Sequence, residues 1–504
     1  MTTEGVARYI SKSKFLQGLQ CPKLLWTAYN ADHLIREPKA QTQAFFDQGH
    51  QVGSLAKKLF TNSIEIGQGV DDLDEVLRLS QNAVKQRRPL FEPAFAYQGG
   101  FAKADILDPV EGNAWDIVEV KSSTSLKNVY ILDLAFQAFV YAGAGLSIRR
   151  CFLLLINPDF IRHGEIDPAK FFVRHDVTAQ VSEASRQIEP RLGEMFITIR
   201  LKDQPDVRIG PQCDDPYTCP LHDHCWSFLP PDNVTMLYRG TKKGFKLLAD
   251  GIVSIKSIPD DCPLTENQKI QRQVAITGQP HVTKAAISTF LRKLKYPVSY
   301  LDFETFATAI PLFDHTRPFE QVPFQFSLHV VRSPDNHPEH RMFLADGRAD
   351  PRLEFLQRLR EWLPDNGSIV AYNAQFERGR LEECCRLHPQ FQTWLNGVEA
   401  RFVDLLKPFR AFRYYGTGQN GSASMKAVLP ALTGRSYDHL AIQEGGTASL
   451  EFLRVHFCNV PEAERQRVRQ ALEDYCEQDT EGMIWIMQAL QEIVGSAKII
   501  SEPI

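Results

Sequence analysis

Two carboxylates alternate within a run of strand-forming residues in the second half of this 504-residue chain. Asp302 and Glu304 lie in the segment Ser299–Thr305, and residues two apart in a strand point to the same face. Carboxylates held together beside apolar neighbours repel each other unless a cation lies between them, and Mg²⁺ prefers such oxygen ligands. Taken alone, the pair also fits a solvated strand face. The polar residues that follow it favour the metal site.

Asn373 and Glu377 are the next polar residues that could join such a site. A short buried strand is predicted over residues 368–372, and it leads into a polar helix predicted over 378–386. Asn373 stands at this junction, where asparagine is a favourable helix N-cap. The N-cap role is the plainer interpretation of Asn373.

A long helix is predicted over residues 461–492, which carry helical periodicity with few breakers. Within it, Tyr475 and Asp479 lie one turn apart on the same face, although a buried tyrosine beside a surface aspartate would look the same. Taken in order, the D-x-E, N-x-x-F-acid and Y-x-x-x-D patterns resemble those of the DnaQ-like (DEDD) 3′→5′ exonucleases. The resemblance covers residues 297–495.

The resemblance implies a ribonuclease-H-like fold that uses two divalent metals, Mg²⁺ or Mn²⁺. It makes metal ligands of Asp302, Glu304 and Asp479, and it has Tyr475 orient the attacking water. Glu377 stands where the family usually has aspartate, and Asp404 matches a position that is often acidic. Two metals can activate water and stabilise both the attacking and the leaving oxygen of a phosphodiester displacement.

A second set of residues with catalytic potential lies in the first half of the chain. Glu119 and Lys121 fall on one face of a strand predicted over residues 114–121, and Asp105 belongs to a preceding strand predicted over 101–107. Carboxylates from two strands can bind one metal ion, and a lysine can stabilise the developing charge on a phosphodiester. An exposed ladder of salt bridges is the plainer interpretation of the same pattern.

Four cysteines bracket this region with regular spacing. Cys21 precedes it, and Cys213, Cys219 and Cys225 follow it as C-x5-C-x5-C. Reduced thiols or metal ligation are favoured over disulfides, because no secretory signal accompanies the ten cysteines of the chain. The spacing is looser than the short C-x2–4-C of zinc fingers. A zinc site in which His222 or His224 replaces one cysteine is the alternative.

Residues 8–230 resemble the RecB-type PD-(D/E)XK nucleases that carry an iron–sulfur cluster, through D…E-x-K, the four cysteines and Q-x-x-x-Y on a following helix predicted over 130–144. The resemblance implies that Asp105 and Glu119 bind metal, that Lys121 is catalytic, that Gln137 and Tyr141 position DNA, and that Cys21, Cys213, Cys219 and Cys225 hold a [4Fe–4S] cluster. Glu92 is a weaker metal-ligand candidate. The family's G-x-x-x-H histidine is missing, since Gly53 stands at its place after Gly49.

Composition adds few constraints. A net charge of −4 does not indicate a nucleic-acid partner, although residues 231–300 hold 11 Lys and Arg against 5 Asp and Glu, a basic excess that could follow a phosphate backbone. The sequence has no apolar run near the roughly 20 residues of a membrane span, and residues 1–11 lack a signal-peptide pattern. We therefore expect a cytoplasmic protein without a membrane partner. Further helices are predicted over 11–30, 40–60 and 71–87.

The sequence thus predicts an α/β protein with three parts: a PD-(D/E)XK restriction-endonuclease-like domain over 1–230, a basic helical connector over 231–296, and a ribonuclease-H-like exonuclease domain over 297–504. The expected function is metal-dependent hydrolysis of single-stranded or end-bearing DNA, with 3′→5′ activity in the last domain and Asn373 contacting the strand. The alternatives are an RNA exonuclease, a protein with one active site, and a nucleic-acid end-binding protein with none.

Overall fold

The computed structural model describes residues 9–334 and 336–495, which form a mixed α/β protein. Contacts divide these residues into two compact units. The first unit runs to Phe228 and includes Thr308–Glu320, and the second consists of Leu229–Ala307 and the residues from Gln321 onward. The predicted connector 231–296 therefore lies within the second unit, and residues 308–320 of the predicted exonuclease domain lie within the first.

The first unit combines a six-stranded and a three-stranded sheet with helices. Its strands are β1 Ile10–Ser11, β2 Ile64–Glu65, β3 Leu90–Phe91, β4 Ala94–Tyr97, β5 Gly100–Lys103, β6 Ile106–Pro109, β7 Ala114–Lys121, β8 Ser147–Ile156 and β9 Phe172–Asp176. Its helices are α1 Lys12–Gln20, α2 Pro22–Asn30, α3 Ala40–Lys57, α4 Leu73–Ala83, α5 Asn128–Gly143, α6 Pro168–Phe171, α7 Thr178–Ser185, α8 Ile188–Ile199 and α9 His222–Trp226.

Strand β7 lies inside the six-stranded sheet, which has the order β2-β3-β6-β7-β8-β9. It pairs antiparallel with β6 and parallel with β8. The apolar helix α5 packs over this region, with Leu134, Phe136 and Val140 fully buried in the core. The strand–helix pair β7–α5 therefore forms a rigid support for the polar side chains that both elements carry.

Two elements predicted as continuous in the first unit are broken in the structure. The helix predicted over 11–30 ends at Gln20 and restarts at Pro22, because Cys21 has an extended backbone with φ −161° and proline has no N–H to continue the helix. The strand predicted over 101–107 is divided into β5 and β6, which belong to different sheets. Asp105 lies at that division.

Residues 308–320 belong with the first unit through specific contacts. The guanidinium of Arg162 donates to the carbonyls of Pro311 at 2.7 Å and Leu312 at 2.9 Å. Asp314 accepts from the backbone N–H of Gly164, and Ala309 is buried in a first-unit core with residues of β6–β9. These local contacts explain why the chain is discontinuous in each unit.

The second unit is built around a five-stranded mixed sheet. Its strands are β10 His281–Val282, β11 Val298–Phe306, β12 Val322–Val331, β13 Glu339–Leu344, β14 Ser368–Ala371, β15 Phe402–Asp404 and β16 Tyr414–Tyr415. Its helices are α10 Thr241–Ala249, α11 Glu266–Thr277, α12 Lys284–Leu291, α13 Arg352–Trp362, α14 Gln375–Leu387, α15 Gln392–Glu399, α16 Leu406–Arg410, α17 Met425–Thr433, α18 Gly445–Phe457 and α19 Glu462–Val494.

Strand β11 is the centre of this sheet, whose order is β13-β12-β11-β14-β15. It pairs antiparallel with β12 and parallel with β14, and the register shifts between Glu304 and Thr305. Nearly every residue of β11 and β12 is buried, as expected for strands covered on both faces. Strand β11 thus holds Asp302 and Glu304 in a rigid, largely apolar setting.

Helix α19 packs against β11 and β12 along a face that buries Leu472, Tyr475, Asp479 and Met483. These positions recur every three or four residues, the spacing of one helix face. The side chain of Gln325 on β12 donates to the carbonyl of Leu472 at 2.9 Å and so links the helix to the sheet.

Residues 231–296 are joined to the rest of the second unit by strand pairing and by buried side chains. Strand β10 pairs antiparallel with β16. Val274 of α11 packs against Phe412 and Tyr415 in one apolar cluster.

Within residues 9–334 and 336–495, no helix combines the length and the apolar character needed to cross a membrane.

Candidate functional site

Three carboxylates of the second unit meet at one point. Asp302 and Glu304 on β11 and Asp479 on α19 place one carboxylate oxygen each within 4.8 Å of the others. Glu304 and Asp479 are buried, and Asp302 is partly so. We refer to these three residues as the carboxylate cluster.

The cluster opens into a pocket of about 280 Å³, also lined by Tyr475, Glu377 and Lys426. The Tyr437 hydroxyl donates to Asp479 Oδ1 at 2.6 Å and fixes that carboxylate. Glu377, at the start of α14, is 2% exposed, and its Oε2 has no hydrogen-bond partner. An unpaired buried carboxylate oxygen is costly, so its presence beside the cluster suggests a ligand-binding role.

Electrostatic repulsion is strong at this point. Burial, followed by the neighbouring carboxylates, raises the pKa of both Asp302 and Glu304 well above their usual values. Burial also raises the pKa of Asp479 to about 6 and that of Glu377 to about 8. The ammonium of Lys426 offsets part of the repulsion on Glu304 and Asp479. A divalent cation among these oxygens would remove the repulsion, because oxygen ligands of this kind suit Mg²⁺ or Mn²⁺.

Tyr475 and Asn373 both line the pocket of the carboxylate cluster. Tyr475 is 4% exposed. Burial, and then the Asp479 carboxylate, raises the pKa of its phenol. Asn373 is exposed, with φ 80°, and is not the N-cap of α14, because Ala374 occupies that position. The N-cap prediction is therefore wrong. The backbone N–H of Asn373 instead donates to Asp404 Oδ1 at 3.1 Å, which gives Asp404 a role in supporting this turn.

Sequence reasoning missed Lys426 and Tyr437. Lys426 lies in the first turn of α17, with its ammonium 5.5 Å from the Tyr475 ring centre. Neither residue belongs to a local pattern that includes the acids, so only the folded structure reveals their proximity.

The predicted residues of the first unit also converge, and two more join them. Glu119 is 1% exposed and accepts from Lys12 Nζ at 2.8 Å, Lys121 Nζ at 2.7 Å and Gln137 Nε2 at 2.9 Å. Asp133 accepts from Lys121 at 2.6 Å and from Gln137 at 2.9 Å. Together with Asp105, these residues are called the Glu119 cluster below.

The charges of the Glu119 cluster largely balance within the protein. Burial alone would raise the pKa of Glu119, but the ammonium groups of Lys12 and Lys121 outweigh it and hold that pKa well below its usual range. Asp105 differs: burial and then Glu119 raise its pKa to about 6, and its Oδ2 accepts from the Val120 N–H at 2.7 Å.

Lys12 and Asp133 were missed by the sequence analysis. A signal existed for Asp133, which is the one acidic residue of the apolar helix α5 and lies one turn before Gln137. Nothing in the sequence around Lys12 connects it with Glu119, because the two are 107 residues apart.

Gln137 and Tyr141 are both fully buried. Gln137 contacts Glu119 and Asp133, whereas Tyr141 donates to the carbonyl of Pro93 and accepts from the N–H of Ala104 at 2.9 Å. Tyr141 therefore supports the backbone that precedes Asp105. Glu92 pairs with Lys103 at 2.6 Å and Lys57 at 3.5 Å, and so its charge is compensated by other residues.

The four predicted cysteine ligands line one cavity in the first unit, together with His222. Burial raises the pKa of the Cys219 thiol to about 11, and Cys21, Cys213 and Cys225 add to that shift. A tetrahedral zinc site with Zn–S bonds of about 2.3 Å requires sulfurs about 3.8 Å apart. In the described parts of the chain, no three of the four cysteine sulfurs and the His222 ring nitrogens, each from a different residue, lie within 4.8 Å of one another.

A further group of possible metal ligands lies on the second unit. His329, His340 and Glu477 place ligand atoms within 4.8 Å of one another. Their atoms already have partners: His329 Nδ1 lies 2.8 Å from Thr480 Oγ1, and His340 Nδ1 lies 3.3 Å from Glu477 Oε1. The imidazole rings stack at 4.3 Å. We interpret this group as a hydrogen-bonded contact between the sheet and α19.

Comparisons with known proteins give similarity without an assigned activity. Residues 299–424 match a family described as a domain of unknown function (DUF2779). The "Uncharacterized protein MG366 homolog" of Mycoplasma pneumoniae is 28% identical over 228 residues, and "Uncharacterized protein MG366" of Mycoplasma genitalium is 27% identical over 226 residues. Each alignment covers 40% of this chain and 33% of the relative, so the chain spans about a third of the length of these relatives.

One solved structure, titled "Crystal structure of SSO0001", aligns with 41% of this chain and 90% of its own. The sequence identity is 11% and the TM-score is 0.17, values that support no argument about fold or function.

Proposed function

We propose that the second unit is a metal-dependent phosphodiesterase of the DnaQ-like type, which removes nucleotides from the 3′ ends of single-stranded or end-bearing DNA. The observation that carries the proposal is the convergence of Asp302, Glu304 and Asp479 within 4.8 Å. Three carboxylates in a largely buried position repel one another, and divalent cations bound by their oxygens would offset that cost.

The fold of the second unit supports the proposal. Three antiparallel strands followed by two parallel ones, in the order β13-β12-β11-β14-β15, suit a ribonuclease-H-like sheet. The residues that would hold Mg²⁺ or Mn²⁺ lie on its central strand β11 and on α19. When bound, such cations activate water and stabilise negative charge on phosphate oxygens.

Residues beside the carboxylate cluster have their own roles in this proposal. The Tyr475 hydroxyl can orient a water molecule, since Tyr475 and the cluster line the same pocket. The Lys426 ammonium can bind a phosphate oxygen. Glu377, whose pKa is about 8 and whose Oε2 lacks a partner, can hold or release a proton near neutral pH.

The experiment that tests the proposal is a time course on single strands labelled at either end. With Mg²⁺ or Mn²⁺, a 5′-labelled DNA strand should give a ladder of progressively shorter products, and a 3′-labelled strand should release labelled mononucleotide at once. EDTA should stop both reactions. RNA strands tested in parallel decide between the two polymers, and the absence of metal-dependent products from DNA and RNA would refute the proposal.

The first unit supports a second candidate function, that of a nucleic-acid end-binding module. The observation that favours it is a hydrogen bond of 2.8 Å from the Lys12 ammonium to the Glu119 carboxylate. This ammonium occupies a carboxylate oxygen that a metal ion would need. The competing reading is a second nuclease site formed by Asp105, Glu119 and Lys121. Cleavage that survives in Asp302→Asn and disappears on adding Lys121→Ala would establish the nuclease, whereas binding without cleavage would establish the module.

We also propose that Cys21, Cys213, Cys219 and Cys225 hold a [4Fe–4S] cluster. The support is their common cavity and their C-x5-C-x5-C spacing, which is looser than the C-x2–4-C of zinc fingers. Zinc bound by three thiols and His222 remains the alternative, and metal analysis of anaerobically purified protein separates the two.

A further inference from the structure

A second cavity adjoins the pocket of the carboxylate cluster within the second unit. It has a volume of about 500 Å³ and is lined by Tyr238, Arg239, Tyr372, Arg410 and the 421–425 loop. Tyr372, Asn373, Ser424 and Met425 line both the pocket and this cavity, so the two are contiguous. We call the larger cavity the Arg239 groove.

The charge of the Arg239 groove is opposite to that of the cluster. Arg239 and Arg410 are both exposed, and among the described residues neither guanidinium lies within 4.0 Å of a carboxylate. Surface arginines on this protein commonly pair with acids, as Arg332 does with Glu339 at 2.7 Å. The two groove arginines therefore keep their full capacity to bind anions.

The backbone that leads into Arg239 is held by the surrounding structure. Gln271, itself 2% exposed, accepts from the N–H of Tyr238 at 2.7 Å and donates to the carbonyl of Met236 at 2.8 Å. Arg239 has φ 47°, a strained conformation for a residue with a side chain. The Arg239 guanidinium lies 5.4 Å from the ring centre of Tyr238, whose hydroxyl donates to the Arg410 carbonyl at 3.3 Å. The backbone that carries Arg239 is thus anchored on this side of the groove.

We propose that the Arg239 groove binds the phosphodiester backbone of a single-stranded polynucleotide whose 3′ end lies at the carboxylate cluster. This inference rests on the proposed function and deepens it by assigning a strand path. Tyr238 and Arg239 lie outside the matched family segment 299–424 and belong to the basic stretch 231–300. That stretch therefore contributes substrate contacts.

The groove's chemistry fits a polynucleotide better than a mononucleotide. A mononucleotide at the carboxylate cluster would leave the contiguous groove and its two free guanidinium groups unused. A continuing strand places successive phosphates beside Arg239 and Arg410, and Tyr238 and Tyr372 offer aromatic faces next to them. Unpaired bases can reach such faces, whereas paired bases are stacked inside a duplex.

The test is fluorescence anisotropy with labelled DNA and RNA single strands about 15 nucleotides long, a length comparable to known single-strand sites. Binding is measured in Ca²⁺ with strand integrity checked on gels, at salt concentrations from about 50 to 200 mM. The proteins are wild type, the double variant Arg239→Ala/Arg410→Ala, and Arg467→Ala. Arg467 is an exposed arginine of α19 that does not line the groove, which makes it the matched control.

The double variant should bind at least one of the two polymers about tenfold more weakly than wild type, and the slope of log K against log salt should decrease by about 1.4, or about 0.7 for each lost phosphate contact. Arg467→Ala should match wild type, and all three proteins should melt at similar temperatures. Wild-type affinity and salt slope in a folded double variant would overturn the proposal, as would the absence of strand binding by wild type.

The failure of this inference can be distinguished from failure of the proposed function. If wild type releases nucleotides with Mg²⁺ but the double variant binds normally, the groove assignment is wrong and the catalytic assignment stands. If the double variant loses binding but wild type releases no nucleotides with any metal, the groove assignment stands and the catalytic assignment is wrong.

Discussion

The carboxylate cluster is a place where individual residues oppose folding. Asp302, Glu304 and Asp479 lose hydration on burial and repel one another, and Lys426 compensates only part of that charge. Residues arranged this way lower stability, and such arrangements persist where function requires them. The Glu119 cluster is the contrasting case, since Lys12 and Lys121 neutralise it from within.

Asp302→Asn should therefore stabilise the metal-free protein. The substitution replaces a carboxyl group, whose charged form is opposed by burial and by the neighbouring carboxylates, with a neutral side chain of similar shape. We expect the melting temperature in EDTA to rise by about 2–4 °C for each kcal/mol gained. Asp474→Asn, at an exposed position of α19, should leave the melting temperature unchanged. A lower melting temperature for Asp302→Asn would contradict the repulsion argument.

Stabilisation by Mg²⁺ should increase with pH. The folded-state pKa values of Asp479, about 6, and Glu377, about 8, lie above ordinary values. Their protonation favours the folded metal-free protein at low pH, and that stability is lost as pH rises through these values. Cations compete with these protons, so the Mg²⁺-induced rise in melting temperature should be larger at pH 8.5 than at pH 5.5. An equal rise at both pH values would argue against cation binding at these carboxylates.

Local rules were sufficient to select the acids but not their partners. Asp302 and Glu304 share a face because a strand alternates, and Tyr475 and Asp479 share one because a helix repeats every turn. Lys426, Tyr437, Lys12 and Asp133 reach these acids through tertiary packing, which carries no fixed sequence spacing. The acids Asp302, Glu304 and Asp479 were therefore predictable as candidates for a metal site, and the residues that pack around them were not.

At the level of elements, two of the candidate site residues lie where regular structure is interrupted. Asp105 lies at the division between β5 and β6, and Cys21 lies between α1 and α2. Propensity predicted continuous elements at both positions because it does not include the hydrogen bonds that stabilise the breaks, such as Tyr141 to the N–H of Ala104. The long helix was predicted well, as 461–492 against an observed Glu462–Val494, since its periodicity extends over many turns.

The loop that forms one wall of the Arg239 groove permits a matched test. Gly418 and Gly421 both have positive φ, at 87° and 73°, so alanine should cost about 1–2 kcal/mol of backbone strain at either. A Cβ on Gly421 would also clash with the Met236 carbonyl oxygen, whereas a Cβ on Gly418 would meet open space. Gly421→Ala should therefore lower the free energy of unfolding by at least about 1 kcal/mol more than Gly418→Ala. Equal losses in denaturant titrations would show that the loop does not pack on Met236 as described.

At the level of the whole molecule, sequence order and unit membership differ. Residues 308–320 belong to the first unit, although in the sequence they come between two strands of the second unit's sheet. Residues 231–296 belong to the second unit. Composition and motif spacing cannot reveal such exchanges, because they depend on contacts like those of Arg162 with Pro311 and Leu312. The α/β class itself was predictable from alternating strand and helix patterns.

The cysteine cavity connects distant parts of the first unit, since Cys21 and Cys213 are nearly 200 residues apart in sequence. Metal binding there should stabilise that unit, as metal binding couples to folding generally. Substituting any one of the four cysteines by Ala should abolish iron binding. It should also lower the midpoint temperature of the first unfolding transition of anaerobically purified protein. Cys458→Ala, at an exposed thiol outside the cavity, should retain both properties. Stoichiometric zinc in place of iron would contradict the cluster but preserve the stabilising role.

In the proposed function, the carboxylate cluster hydrolyses phosphodiester bonds with divalent metals. The most direct measurement compares the rate of 3′-end trimming, with Mn²⁺, by wild type, Asp302→Asn and the matched variant Asp474→Asn. We predict that Asp302→Asn loses at least about 10²–10³-fold in rate while remaining folded, and that Asp474→Asn trims like wild type. Trimming by folded Asp302→Asn at the wild-type rate would contradict the proposed role of the carboxylate cluster.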